Sequence, residues 1–129
     1  MYTSFSIALS NDKAFKAVVP VFAYIVAGST KMILERHEIS LDTAEKIRNA
    51  ILHGQWKEAF SQVDNNMVEA FSVCGTPEVC IQKIDRLVKA GVNQIVAGSP
   101  LGRDMRNSIN MIAADVFPHF KGKVGQKIR

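Results

Sequence analysis

Phe71-Ser72-Val73-Cys74-Gly75-Thr76-Pro77-Glu78-Val79, followed at Ala90-Gly91-Val92-Asn93-Gln94-Ile95-Val96-Ala97-Gly98-Ser99-Pro100, is the stretch that decides the fold. Thr76 can cap the free N–H groups of a helix whose first position is Pro77, where a missing N–H costs nothing. Gly91 supplies a left-handed exit, and Gln94–Ala97 has the length and flanking punctuation of a buried strand. Gly98-Ser99-Pro100-Leu101-Gly102 then predicts a loop leading to a last helix. Helix, strand, glycine loop and helix in that order are the grammar of a barrel or a doubly wound α/β sheet.

Working outward, Tyr2–Leu9 alternates, with Thr3, Phe5, Ile7 and Leu9 on one side, which predicts a strand over Thr3–Ala8. Ser10 or Asn11 can cap a helix that is apolar almost all round to Val26; Pro20 should kink or divide it and Gly28 should end it. Short helices follow: one over Met32–His37, one capped by Ser40 with Leu41, Ala44, Ile47 and Ile51 on one face, and one carrying Trp56, Ala59, Phe60 and Val63. The helix after Thr76 aligns Cys80, Ile84, Leu87 and Val88, and the last aligns Met105, Ile109, Ile112 and Val116. The sum is two parallel strands in a mainly helical α/β chain.

The formal charge is +4, but Lys121, Lys123, Lys127 and Arg129 carry all of it; the other 12 basic residues are matched by 12 acidic ones. The body is therefore neutral, which argues against nucleic acid as a partner, and a basic tail over 121–129 reads as a solvated end. Cys74 and Cys80 fit neither a C-x-x-C redox pair nor a zinc knuckle, so they read as reduced thiols. The apolar run Ala17–Ala27 is shorter than the roughly 20 residues of a bilayer span, and the start lacks signal-peptide character, which predicts a cytoplasmic protein with no membrane partner.

In a barrel, function sits on loops at the C-terminal ends of strands, here Ser6–Asn11 and Gly98–Asp104. The glycines of Gly98–Gly102 allow close backbone approach to a ligand; the same residues also suit a plain strand-to-helix turn. Gly75-Thr76-Pro77 could hold an anion, but ordinary capping explains it, and its place before the second strand predicts the end of the barrel away from the chemistry. His37, His53 and His119 show no metal spacing, and no nucleophile elbow, dinucleotide fingerprint or P-loop is present.

A-F-S-x-C-G-T-P-E at 70–78, K-A-G-V at 89–92 and Q-I-V-A-G-S-P-L-G at 94–102 resemble the methylenetetrahydromethanopterin reductases, a branch of the bacterial-luciferase-like barrel enzymes. Y-T-S-F-S-I at 2–7, A-V-V-P-V-F-A-Y-I-V-A-G-S at 17–29 and Leu34-Glu35-Arg36-His37 are similar to the same branch, so the resemblance covers nearly the whole chain. A closed (β/α)8 barrel takes about 250 residues. The resemblance therefore implies a C-terminal part of such a TIM barrel, about its last two βα units, over residues 1–120. It implies hydride transfer from reduced coenzyme F420 to a pterin in one-carbon metabolism, with the protein orienting two rings and excluding water. It places cofactor contacts at Thr3, Ser4, Ser6, Gly98, Ser99, Pro100 and Gly102, and carries over no catalytic or metal-binding residue. The chain alone is expected to be inactive and to bind no cofactor tightly. Unpaired strand edges imply a homo-oligomer or a complementary barrel half as partner. Two other classes compete: a non-catalytic helical assembly module, and part of an FMN-dependent luciferase-like monooxygenase.

Overall fold

A computed structural model of the chain describes residues 1–121; the basic tail expected over 121–129 lies, from residue 122 on, outside the described residues. Two compact units are present, one formed by residues 1–17 with the chain from 72 onward, the other by residues 18–71.

The first unit is built on a parallel three-stranded sheet in the order β2-β1-β3, with β1 at Tyr2–Ile7, β2 at Ser72–Gly75 and β3 at Val96–Leu101. Two strands were expected, so β2 is a correction. It has only four residues, preceded directly by a helical turn, which hid its alternation. The second correction concerns β3. It starts at Val96 and runs to Leu101, so Gly98, Ser99 and Pro100, expected in a loop, belong to the strand. Ser4 pairs with Gly98 and Ser6 with Leu101, so three residue steps on β3 face two on β1: a bulge. Pro100, which has no N–H for a ladder, sits in that bulge after a cis peptide bond from Ser99.

Phe5 and Ile7 of β1 and Val73 of β2 point to one face of the sheet, as alternation requires, and pack there with Cys80 and Ile84 of α6 (Pro77–Lys89) and with Val116. Thr76 caps α6 by accepting from Val79 N, and Pro77 opens it, as the sequence predicts. The last helical stretch departs from its expected face. Helix α7 (Met105–Met111) continues into a π-helical turn, Ile112–Val116, before the short α8 (Phe117–Phe120). A π turn inserts one residue and rotates the helix beyond it by about 100°. Met105 and Ile109 are accordingly exposed, and Ser108 is buried in their place.

The second unit is helical. Helix α1 (Asn11–Gly28) begins in the first unit and runs unbroken past Pro20, whose exposed flank lets water take the carbonyl left without its N–H partner. Then follow α2 (Lys31–Arg36), α3 (Leu41–Leu52), α4 (Trp56–Ser61) and α5 (Asn65–Phe71). Thr30, Ser40 and Asp64 cap α2, α3 and α5 through side-chain oxygens. Phe22 stacks on Phe71 with ring centroids 6.4 Å apart, and Ala44, Ile47, Ala59 and Met67 are buried.

Candidate functional site

The C-terminal ends of the three strands meet at one rim. Ile7 of β1 is in register with Gly75 of β2, and Ser6 is in register with Leu101 of β3. Gly75-Thr76-Pro77, expected at the far end, therefore lies at the same end as residues 7–13 and 101–108. The missed strand caused the misplacement: a turn that comes after a parallel strand and opens a helix sits at the carboxyl end of the sheet.

Side-chain hydrogen bonds from distant parts of the sequence fasten the rim. Ser6 Oγ, fully buried, donates to Ala14 O at 2.8 Å and holds the first turns of α1 against β1. Ser108 Oγ donates to Ile7 O at 3.3 Å and holds α7 there. Asn11 Oδ1 accepts from Thr76 N at 3.0 Å, and Ala8 N donates to Gly75 O at 3.2 Å. Gly75 at φ +149° and Gly102 at φ +144° take backbone conformations that side chains disfavour. A Cβ on Gly102 would stand 2.7 Å from Ile7 O, and one on Gly75 would stand 2.8 Å from Asn11 Oδ1.

The expected contact residues divide. Thr3 and Ser4 lie in the first half of β1, Ser4 opposite Gly98, and so sit along the sheet rather than at its rim. A Cβ on Gly98 would strike the Tyr2 ring at 2.5 Å and Thr3 O at 2.9 Å, so its space is already filled by β1. Ser99 is exposed and Pro100 half-buried in the bulge. Ser6 and Gly102 do reach the rim, where one is committed to Ala14 and the other to close packing on β1.

Sequence reasoning passed over the basic residues of this rim. A groove of about 980 Å³ is lined by Ile7, Ala8, Leu9, Lys13, Arg103 and Arg106 among others, and Lys13 and Arg103 also border a neighbouring hollow with Lys16 and Gly102. Lys13 and Arg103 each stand one residue from an anchored position, Ala14 and Gly102. Their signal was present as two cations in the two segments that come after β1 and β3, but balanced composition drew no attention to them.

Cys80 lies under the rim, its thiol against Ser6 O and Gly75 O. Burial pushes its pKa up to about 12, Cys74 and Glu78 add to the rise, and Lys83 opposes it. The thiol is thus protonated and inert near neutrality. Among the described residues no cluster of three or more His, Cys, Asp or Glu could hold a metal ion. Nor is any of their helices long and apolar enough to cross a membrane. The rim offers cations beside an open groove, equipment that suits an anionic ligand.

The family profile of luciferase-like monooxygenases matches residues 1–94. The chain belongs to this family. Within it, the chain is 47% identical over 120 residues to the 5,10-methylenetetrahydromethanopterin reductase of Methanopyrus kandleri, covering 93% of the chain and 34% of the relative. It is 42% identical over 124 residues to the enzyme of that name from Archaeoglobus fulgidus, covering 93% of the chain and 37% of that relative. Its fold matches the structure of the coenzyme F420-dependent tetrahydromethanopterin reductase of M. kandleri with a TM-score of 0.89 at 46% identity, covering 92% of the chain and 34% of the enzyme. This luciferase-like chain thus spans about a third of the length of the relatives it matches. Its α/β, mainly helical architecture is that of part of the barrel enzyme.

Proposed function

We propose that this chain supplies strand ends of a hydride-transfer barrel acting on methylenetetrahydromethanopterin. The observation that carries the reading is the near-complete overlap of the chain, at 46% identity, with the structure of a coenzyme F420-dependent reductase. Reduced coenzyme F420, when bound, would supply the hydride that converts the methylene to the methyl form. The donor set at the rim fits such a group: Lys13, Arg103 and Arg106 provide positive charge beside a groove wide enough for part of a cofactor.

The chain's own share of the reaction is positioning. Ser6 and Ser108 tie two helices to β1, so that the residues beyond each strand keep fixed places relative to one another. Rigid placement of this kind turns an encounter of two rings into a reaction within one complex. The apolar layer of Phe5, Ile7 and Val73 behind the rim excludes water from the sheet. Among the described residues β2 and β3 each pair with β1 alone, so their outer edges require further strands. The remainder of a barrel, or other copies of the chain, would supply that cover in the cytoplasm.

The test is a chimera of the M. kandleri reductase in which this chain replaces the matching third. It is expected to oxidise reduced F420 in the presence of methylenetetrahydromethanopterin and not to turn over reduced FMN. A folded chimera that uses FMN and oxygen, with no F420 activity, would overturn the proposal in favour of a monooxygenase.

A further inference from the structure

We infer that Lys13, Arg103 and Arg106 form a subsite for the phosphate- and carboxylate-bearing tail of a ligand, leaving the ring-binding part of the pocket to other residues. The inference rests on the proposed hydride-transfer role for its choice of ligands, though not for its geometry.

The three cations reach one groove from two segments about 90 residues apart in the chain, Lys13 from the first turn of α1 and the arginines from the segment between β3 and the first turn of α7. Nearby carboxylates are already engaged. Asp12 pairs with Lys16 at 2.9 Å, and Asp104 accepts from Asn107 through both oxygens, at 3.2 Å from the backbone N and 2.9 Å from Nδ2. Among the described residues no carboxylate lies within salt-bridge distance of Lys13, Arg103 or Arg106. Asp104 lines the same groove, so the rim sets three cations against one carboxylate, and the buried serine tethers that fix the two segments maintain a net positive charge that an anion would relieve. The fork of Arg103 or Arg106 suits a bidentate phosphate or carboxylate, whereas Lys13 contributes a point charge. The groove is open along one side, as a flexible anionic chain needs and an enclosed aromatic ring does not. Both coenzyme F420 and methanopterin carry tails with phosphodiester and carboxylate groups, so either can be the source.

The experiment titrates the 129-residue chain, observed by NMR, with F420, with its side-chain-free deazaflavin riboside, with tetrahydromethanopterin and with a tail-less pterin. Wild type is compared with Lys13→Ala, Arg103→Ala and Arg103→Lys. Both substituted positions are exposed, so the variants should keep the wild-type melting temperature. A tailed ligand is expected to bind in the millimolar range, shifting the signals of residues 8–13 and 102–107, and to lose affinity about five- to tenfold in either alanine variant, with partial recovery in Arg103→Lys. Affinity should fall further as salt rises. Preference between the two tailed ligands names the source. Inorganic pyrophosphate is the control: its binding without either tailed ligand would keep the anion site and sink the hydride-transfer reading. Equal binding of tailed and tail-less forms, insensitivity to the alanine variants, or no saturation by any of these probes would overturn the inference.

Discussion

The sheet unit and the helical unit are held together by different kinds of bond. In residues 18–71 most side-chain bonds are local: Ser40 caps the helix it precedes, and Lys46 pairs with Asp42 one turn away, while Arg48 to Ala27 O and Asn66 to His37 O reach 21 and 29 positions. In the sheet unit Ser6, Ser108 and Asn11 bond to backbone atoms 8, 101 and 65 positions distant. Local bonds build helices anywhere, but only long-range ones can fix separate strand ends to one another. The proposed site accordingly sits where polar groups bring distant strand ends to a common rim.

Glycine substitutions challenge this contrast most severely. Gly102→Val should cost about 3 kcal/mol or more, because its side chain would enter the packing between Ile7 and Ser108 at a positive φ. Gly28→Ala, with open space around it, should stay within about 1 kcal/mol of wild type and of either sign. Urea melts of both proteins check the pair, and a mild Gly102→Val would show that the rim is a loose turn.

Ionisation of Cys80 gives the next largest effect. Its folded pKa of about 12 lies above its ordinary value of 9.0, so the unfolded chain releases the proton first. Stability is therefore intact below pH 9 and declines as pH rises toward 12, by about 2 kcal/mol between pH 9 and 11. Cys80→Ala should remove this part of the slope, as followed by denaturant melts across that range. An unchanged slope would mean that the thiol is not sealed beneath the sheet.

Hydrogen-bond deletions probe the contrast more gently. Ser108→Ala should cost about 1–2 kcal/mol, since it strips a buried tether. Ser40→Ala, an exposed cap, should cost about 0.5–1 kcal/mol, and Lys46→Gln, which loses a solvated ion pair, less than about 0.5 kcal/mol. Thermal melts that reversed this order would erase the distinction between the units.

The helical unit was largely legible in the sequence because its rules are local. Ser40 marks the start of the helix it precedes, and Ala44 and Ile47, spaced for one helical face, are buried as that spacing predicts. The sheet was legible in part. Tyr2–Ile7 shows its alternation, but Ser72–Gly75 is too short to show any, and Gly98-Ser99-Pro100 has loop composition inside a bulged strand. A bulge depends on the partner strand, and a π turn such as Ile112–Val116 depends on packing, so neither is written in a local pattern. The rim cations were hidden for the same reason, since nothing near Lys13 in sequence indicates Arg103. The resemblance to the reductase branch identified the fold where periodicity could not, yet several contact positions transferred from it, Thr3, Ser4 and Gly98 among them, lie along the sheet and not at its end.

The most direct test is hydrogen–deuterium exchange of the reductase chimera with and without F420, read peptide by peptide across this chain. Protection on binding is expected at residues 7–13, 75–78 and 101–108, the three strand ends, with none at residues 92–95 at the opposite end of the sheet. Protection centred on residues 92–95, or on the helical face at 52–61 with the strand ends unchanged, would contradict the assignment of the ligand to this rim.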